Sequence, residues 1–473
     1  MTAHAGSAVT TVKEKNTAAM VFLFAILLCS SLIQWITVWE THVIAPGRPD
    51  AASYVSYAYN LREFGIYSRE HTWSSYTPSR PMPDAISTPG YPIFLTMFLD
   101  GKPNSAFLQR VTVVQGLLGV ITTLFAYLLA ARMVSPMLAC IVALLTALSP
   151  HLANISTYVL TESLFTCLLV ISTWAFVRSA QSRNLAAWAL AGVIFGLCCL
   201  VRPTLQALPP IVLLVVALRR KWRPLLRPVA IAGVCWVTLL MPWLVYQQSI
   251  PASADHPNSL RESLHHGSFP DFVFENHTEN YGYPYRDDPH LMEIMASNAG
   301  LVHWVGQRMR AEPMHYLRWY LVGKPLYFLA WNNDAAGAGD IFIYPVDASP
   351  YFSRPLFRLV HAVMFGLHWP LMLLGVAGGL AACFSSRWLG LTPTSLIATR
   401  IIAAIFLSAI VIHMIGAPFP RYGIPFRPLA YALAVVSASA LAGRWRVARE
   451  GLPTLTSRSL SRGGIKGQIQ PKT

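Results

Sequence analysis

Uncharged, apolar segments of about membrane-spanning size recur along the whole sequence and limit its fold more than any other feature. A helix that crosses a bilayer needs roughly 20 mostly apolar residues. The segments are Ala18–Val38, Val111–Ala131, Pro136–Leu148, Ser163–Val177, Leu185–Leu200, Leu205–Leu218, Val229–Tyr246, Val360–Cys383, Ile401–Ile415 and Leu429–Leu441. They predict an all-α polytopic membrane protein with about ten transmembrane helices. The shorter segments must either thin the bilayer or end at a cavity.

Composition supports this fold class. The sequence is 54% hydrophobic and 12% charged, whereas an ordinary soluble domain carries about 25% charged residues. This excludes a disordered chain, a collagen-like fibre and most soluble enzymes. The seven cysteines lie in apolar segments without a C-x-x-C pair, so neither a disulfide framework nor a zinc site is expected.

The basic residues predict the orientation in the membrane. The net charge is +15, which in so apolar a chain indicates membrane-flanking charge and not a nucleic-acid surface. Counting alternate loops puts the basic clusters on one side, and the positive-inside rule makes that side cytoplasmic. The clusters are Lys13 and Lys15, Arg178 and Arg183, Arg219 to Arg227, Arg387 and Arg400, and Arg444 to Arg449.

This orientation fixes the expected domain organisation. Residues 1–450 form one transmembrane domain with both termini in the cytoplasm, and 451–473 form a disordered tail. The long segments of about 39–109 and 248–358 are extracytoplasmic, and we expect the bacterial inner (plasma) membrane. The aromatic stretch Tyr316–Trp331 either lies flat at the membrane interface or crosses the membrane. A crossing would reverse the orientation of every helix after it.

Asp50 is the first candidate for chemistry, because it follows the first span by only a short loop. A carboxylate held against aromatic and lipid surroundings can have a raised pKa and act as a general base. The structural alternative is that Asp50 caps a helix over Ala51–Leu61.

The residues after Asp50 carry a family resemblance. The run Asp50, Tyr54, Ala58, Leu61, Gly65 and Tyr67, followed by Pro89-Gly90-Tyr91-Pro92, resembles the first outer loop of the GT-C integral-membrane glycosyltransferases. The branch with protein O-mannosyltransferases and aminoarabinose lipid A transferases is the most similar. Later parts of the chain agree in order with the family: Ala147–Pro150 with Thr161–Phe165, Gly196–Pro203, and Arg421–Pro425.

The resemblance implies a function. The donor would be a polyprenyl-phosphate sugar, transfer would invert the anomeric carbon, and the site would face away from the cytoplasm. Asp50 aligns with the family's catalytic acid. Many relatives carry a second acid directly after it, where this chain has Ala51, so a metal or paired-carboxylate mechanism is not supported. No cofactor is required, since the glycosyl phosphate is already activated. The acceptor is a glycan, lipid or protein hydroxyl.

The reaction itself needs cations, because negative charge builds on the leaving phosphate. Fixed basic groups in a water-poor site stabilise that charge. The candidates are Arg202 and Arg421 at predicted outer span ends and Lys324 in the aromatic stretch Tyr316–Trp331. For Arg202 the structural alternative is an interfacial arginine whose guanidinium reaches the polar headgroup region, and for Lys324 it is a lipid-headgroup anchor.

Four further residues are predicted to contact the acceptor or to support the basic groups. They are Glu162, Tyr54, His151 and Tyr422. For Glu162 the alternative is a favourable position at a helix N-terminus. The acidic and histidine-rich stretch His265–Glu293 shows no metal-ligand spacing and is interpreted as a solvated loop.

Two other functions stay open. The chain could transport or flip a lipid-linked or anionic substrate, although transporters usually show inverted repeats with interrupted helices at the bilayer midplane. It could also be a non-catalytic accessory protein of the same fold.

Overall fold

The computed structural model describes residues 2–47, 49–73, 80–182, 184–218, 220–250, 259–270, 283–333 and 339–450. The predicted tail 451–473 lies outside them, as does part of the acidic stretch His265–Glu293, including Asp271, Glu275, His277 and Glu279.

The described chain is almost entirely helical. Its α-helices are α1 (Thr2–Glu40), α2 (Pro49–Phe64), α3 (Gly90–Thr96), α4 (Ser105–Ala130), α5 (Pro136–Leu148), α6 (Pro150–Asn154), α7 (Glu162–Ser182), α8 (Leu185–Val201), α9 (Leu208–Leu218), α10 (Leu226–Ser249), α11 (Ser259–Gly267), α12 (Leu291–Ala296), α13 (Asn298–Ala311), α14 (Pro313–Arg318), α15 (Lys324–Phe328), α16 (Pro350–Ser353), α17 (Pro355–Phe384), α18 (Pro393–Ile415), α19 (Pro420–Gly423) and α20 (Arg427–Glu450). Two short strands, β1 (His42–Val43) and β2 (Val346–Ala348), complete the regular structure of these residues.

Seven helices within the described residues are long and apolar enough to cross a membrane. They are α1, α4, α7, α10, α17, α18 and α20. After a 53° bend, α5 continues into Pro150–Thr157, and this bent pair makes an eighth span if it crosses as one. The chain is therefore a multi-pass membrane protein, as predicted.

The number of full-length spans is lower than the ten predicted, although every predicted segment falls on an apolar helix. The helices α8 and α9 have 17 and 11 residues, which is short for a crossing. Tyr316–Trp331 is helical to Phe328 through a π-helical turn at Trp319–Gly323, and it is not among the span-length helices.

Helix α20 lies at the centre of the bundle. About 78% of the apolar window in Pro420–Trp445 is buried inside the protein, against 17% in Arg223–Ser249. Close approach to α20 depends on small residues of α17. A Cβ on Gly375 would lie 2.8 Å from the carbonyl oxygen of Ala430, so a larger side chain there would push the helices apart.

The two strands close the bundle at one end, where α1 finishes. β1 and β2 pair antiparallel, and the guanidinium Nε of Arg354 donates to Glu40 over 2.7 Å. These contacts hold the chain just before α17 against the end of α1. We call this end of the bundle, which also carries the start of α2 and of α7, the polar end.

Candidate active site at the polar end

Two ion pairs lie at the polar end and involve four of the predicted site residues. Asp50, Glu162, Arg202 and Arg421 are called the four-charge cluster below. They come from the first turn of α2, the first turn of α7, the end of α8 and the short helix α19. The fold thus brings together residues that are up to 371 positions apart in the sequence.

The first pair joins the start of α2 to the short helix α19. Arg421 Nη2 donates to Asp50 Oδ2 over 2.7 Å. The Asp50 side chain is 43% exposed and that of Arg421 is 22% exposed, so this pair is only partly shielded from solvent. Helix α2 begins at Pro49, which places Asp50 inside the first turn. The alternative that Asp50 caps a helix starting at Ala51 is therefore wrong.

The second pair is more deeply placed. Arg202 Nη1 donates to Glu162 Oε1 over 3.2 Å, and the Glu162 side chain is only 3% exposed. Glu162 also begins α7, where a negative charge is favourable. The position of Glu162 is therefore compatible with both interpretations. It can orient Arg202, and it lies at a favourable helix N-terminus.

Tyr422 connects the two pairs. The guanidinium carbon of Arg202 lies 4.6 Å from the centre of the Tyr422 ring, and that of Arg421 lies 5.2 Å from it. An aromatic ring attracts a cation over its face. One ring therefore holds two guanidinium groups near each other, while two carboxylates balance their charge.

Tyr54 packs beside the cluster, one turn after Asp50 on α2. Its ring meets Tyr91 edge to face with centroids 5.3 Å apart. Burial raises the pKa of the Tyr54 hydroxyl well above its ordinary value, and the charges of Asp50 and Glu162 act in the same direction. The hydroxyl thus stays protonated and can donate a hydrogen bond.

Local sequence explains why the first loop reaches Arg202. Helix α8 ends at Val201 and Pro203 follows Arg202, so the chain leaves the helix with Arg202 in an extended conformation. Gly90 packs against this break, and a Cβ there would lie 2.7 Å from the backbone of Leu200. Thr88 Oγ1 donates to the Val201 carbonyl over 3.1 Å.

Lys324 has a different environment from the one predicted. Its side chain is fully buried, and Nζ donates to the carbonyl oxygens of Ile415 and Gly416 over 3.3 and 3.0 Å. It thus caps the C-terminal end of α18, five residues before Arg421. This placement corrects the prediction that Lys324 presents its amino group to a phosphate.

His151 also lies away from the contacts of the cluster. It is fully buried in α6, and Nε2 donates to the Trp331 carbonyl oxygen over 2.7 Å. Its described partners hold the chain between α15 and α16 in place and include no cluster residue. The predicted contact with the acceptor therefore finds no support in its position.

Sequence reasoning missed Glu262 and Tyr344, and it interpreted the stretch that contains His266 as a solvated loop, whereas His266 is buried. Burial raises the pKa of Glu262, with a further contribution from the charge of Asp50. Burial lowers the pKa of His266 to about 3, and its ring lies 4.9 Å from that of Phe419. Tyr344 is buried within electrostatic reach of Asp50 and Arg421. No signal in the linear sequence connects these residues with Asp50, since each arrives through a different segment.

A metal ion has no ready set of ligands in the part of the chain that the structure describes. No group of three or more His, Cys, Asp or Glu side chains there is arranged to hold one. Asp50 and Arg421 form a pair, and Ala51 occupies the neighbouring position.

The fold and the cluster define an all-α, multi-pass membrane protein with a charged site where helices end. Residues 92–246 match the family described as dolichyl-phosphate-mannose-protein mannosyltransferases. This match confirms the predicted similarity to the GT-C membrane glycosyltransferases over the part of the chain from α3 to α10.

Among solved structures, two matches cover most of this chain at low sequence identity. The archaeal oligosaccharyltransferase AglB from Archaeoglobus fulgidus, in complex with an inhibitory peptide and a dolichol-phosphate, is 13% identical over 93% of this chain and 52% of its own, with a TM-score of 0.46. ArnT from Cupriavidus metallidurans, bound to undecaprenyl phosphate, is 14% identical over 93% of this chain and 80% of its own, with a TM-score of 0.38. This chain spans about half the length of the archaeal enzyme. No curated protein sequence matches the chain.

Proposed function

We propose that this protein is an inverting glycosyltransferase that moves a sugar from a polyprenyl-phosphate donor to an acceptor hydroxyl. The observation that carries the proposal is the four-charge cluster, in which two guanidinium groups share the Tyr422 ring beside a partly exposed carboxylate. The mannosyltransferase family match over residues 92–246 supports a lipid-phosphate donor.

The cluster supplies the groups that such a transfer needs. The bond from the anomeric carbon to the phosphate oxygen breaks, so negative charge grows on the leaving polyprenyl phosphate. Arg202 and Arg421 stabilise that charge, because charge-assisted hydrogen bonds are strong where water is scarce. The acceptor oxygen attacks from the opposite side, and its proton passes to the Asp50 carboxylate.

Asp50 is suited to the base role by its exposure. An acceptor hydroxyl can reach a carboxylate that is 43% exposed, whereas Glu162 is enclosed. In this proposal Glu162 holds Arg202 in place, and Arg421 moves from Asp50 towards the phosphate when the donor binds. Tyr54 donates a hydrogen bond within the same site.

The orientation of the site belongs to the same proposal. Helix α7 begins at the polar end with Glu162 and carries Arg178 in its last turns, so the basic side of the bundle is the far side. The positive-inside rule then places the four-charge cluster outside the cytoplasm. In a bacterium this is the periplasmic face of the inner membrane.

The test is transfer by the purified protein in liposomes, with a panel of labelled polyprenyl-phosphate sugars and lipid, glycan and peptide acceptors. We expect one donor to be consumed by the wild type, and Asp50→Asn to lower turnover by at least about 100-fold, since a general base contributes roughly 10²–10⁴-fold. Asp100→Asn is the matched control, because Asp100 is an exposed acid paired with Arg110. Near-normal transfer by Asp50→Asn would reject the proposed base, and movement of intact donor across the bilayer without cleavage would indicate a flippase.

A further inference from the structure

The short helix α11 separates the four-charge cluster from a cavity that the transfer mechanism does not use. On one face of α11, Ser263 Oγ accepts a hydrogen bond from the Ala417 amide over 3.2 Å, and the His266 ring lies 4.9 Å from that of Phe419. Both contacts are with the segment that leads into Arg421. On the other face, His265 Nε2 donates to Asp288 Oδ2 over 2.6 Å, and Asp288 lines the cavity.

The cavity has the size and lining of a ligand site. Its volume is about 550 Å³, and pockets for small ligands typically measure about 300–1,000 Å³. Phe269, Trp304 and three prolines form its apolar walls, while Asp287, Asp288 and Arg308 are among its polar groups.

Arg308 provides a reason to expect a bound polar group. Its Nη1 donates to Asp288 Oδ2 over 3.0 Å, and its guanidinium carbon lies 4.5 Å from the centre of the Phe269 ring. The atoms Nε and Nη2 are buried and have no hydrogen-bond partner among the residues that the structure describes. This edge of a guanidinium presents two parallel donors, and leaving buried donors unpaired is costly.

The balance of charges decides which ligand fits. A free oxyanion would meet the two donors of Arg308 but also the carboxylates of Asp287 and Asp288. A sugar ring is neutral and carries hydroxyls that can accept from Arg308, without the repulsion that the two carboxylates would exert on an oxyanion. The Trp304 ring, which stacks on His290 at 3.3 Å, adds a flat aromatic wall for the C–H face of such a ring.

We infer that this cavity binds a sugar unit of the acceptor, so that the acceptor is a glycan or a glycolipid. That the ligand belongs to the acceptor rests on the proposed function, whereas that it is a sugar rests on the cavity alone. Helix α11 carries His265 towards the cavity and His266 towards the cluster, and this sets the bound sugar beside the place where transfer occurs.

Binding can be measured on the full-length protein in detergent by saturation-transfer NMR. The probes are the methyl glycosides of glucose, mannose and N-acetylglucosamine, each at millimolar concentration, and inorganic phosphate is the oxyanion probe, followed by the broadening of its phosphorus NMR line. We expect at least one glycoside to bind the wild type, and Trp304→Leu and Arg308→Gln to weaken it by about tenfold or more. Arg310→Gln, an exposed arginine on the same helix, is the matched control and should bind as the wild type does.

The outcomes separate the two proposals. No glycoside binding by the wild type, binding of phosphate alone, or equal binding by Trp304→Leu and the wild type would each overturn the sugar site. Arg308→Gln also breaks the contact with Asp288, so the thermal midpoint of this variant is measured. If Arg308→Gln unfolds, the variants Trp304→Leu and Gln307→Ala are used for the test. Consumption of a polyprenyl-phosphate sugar by the wild type in the transfer assay with the acceptor panel tests the proposed function independently. Donor consumption without glycoside binding rejects the cavity, and glycoside binding without consumption of any donor rejects the transferase.

Discussion

At the scale of single residues, the two ion pairs differ in what they contribute. The Glu162 side chain is 3% exposed and its partner Arg202 is 14% exposed, so removing either group leaves the other buried without a counter-charge. Breaking a buried pair in this way typically costs about 3–5 kcal/mol. The side chains of Asp50 and Arg421 are 43% and 22% exposed, so breaking this partly buried pair costs less than breaking the pair of Glu162 and Arg202. Arg421 can therefore leave its partner for a ligand more easily than Arg202 can.

A double substitution separates the structural role of Arg202 from its role towards the donor. We expect Arg202→Ala to lower the thermal midpoint, because the Glu162 carboxylate remains buried and unpaired. Adding Glu162→Gln to Arg202→Ala removes that charge and should restore most of the lost stability. Transfer should stay low in the double variant, since the guanidinium that faces the phosphate is still absent.

The measurement is a thermal melt of each purified variant beside a transfer assay at a temperature where all are folded. The Glu162→Gln single variant is the reference for the effect of losing the carboxylate alone. Recovery of transfer in parallel with stability would show that Arg202 acts only on folding, and would remove it from the donor site.

At the scale of helices, the linker between α18 and α20, which carries Arg421 and Tyr422, is held by the segment around α15. Lys324 binds the last carbonyls of α18, and its Nζ lies 3.7 Å from the centre of the Tyr320 ring. Gly423 packs against the end of α15, where a Cβ would lie 2.1 Å from the Phe328 carbonyl oxygen. The aromatic segment that looks from sequence like a membrane anchor is thus a support for the site.

Lys324 also gives the fold a dependence on pH. Burial lowers its pKa to about 7 from an ordinary value of 10.5. Between these values the unfolded chain binds more protons than the folded chain, so stability rises with pH. The rise is at most about 1.4 kcal/mol per pH unit for one group.

We expect the thermal midpoint of the wild type to increase from pH 7 to pH 9 more steeply than that of Lys324→Met, which has no proton to lose there. Lys102→Met removes an exposed lysine and should keep the wild-type slope. Equal slopes for wild type and Lys324→Met would mean that the pKa of Lys324 is not lowered in the folded protein, and a steeper slope in the variant would contradict the sign.

Hydropathy predicts the helices well and their partners poorly. The ten apolar segments coincide with helices because a bilayer core requires long uncharged runs, and this requirement is visible in any one segment. The pairing of Asp50 with Arg421 depends on packing across the entire bundle. The same holds for Glu262, which reaches the neighbourhood of Asp50 only because α11 lies against the linker after α18. Such contacts follow from the tertiary arrangement and leave no local pattern.

At the scale of the whole molecule, charge is divided between the two ends of the bundle. The four-charge cluster is neutral overall and lies at the polar end, whereas the opposite end gathers arginines that have no acidic partner among the described residues, around the turn after α17. There, Arg400 Nε donates to the Ala382 carbonyl over 2.9 Å and Arg444 Nε donates to that of Trp388 over 3.1 Å. The positive-inside rule is based on this asymmetry of charge. The expected orientation therefore depends on the same arginines that donate to carbonyl groups at the helix ends.

The orientation can be tested with two serines that flank α17. Ser353 precedes the helix at the polar end, Ser385 follows it at the basic end, and both are exposed. In a background where the seven native cysteines are replaced by alanine, we expect a membrane-impermeant maleimide to label Ser353→Cys in intact cells. Ser385→Cys should react only after the cells are permeabilised. Because both sites belong to one helix and carry the same substitution, a reversed labelling pattern would place the four-charge cluster in the cytoplasm and contradict an extracytoplasmic transfer.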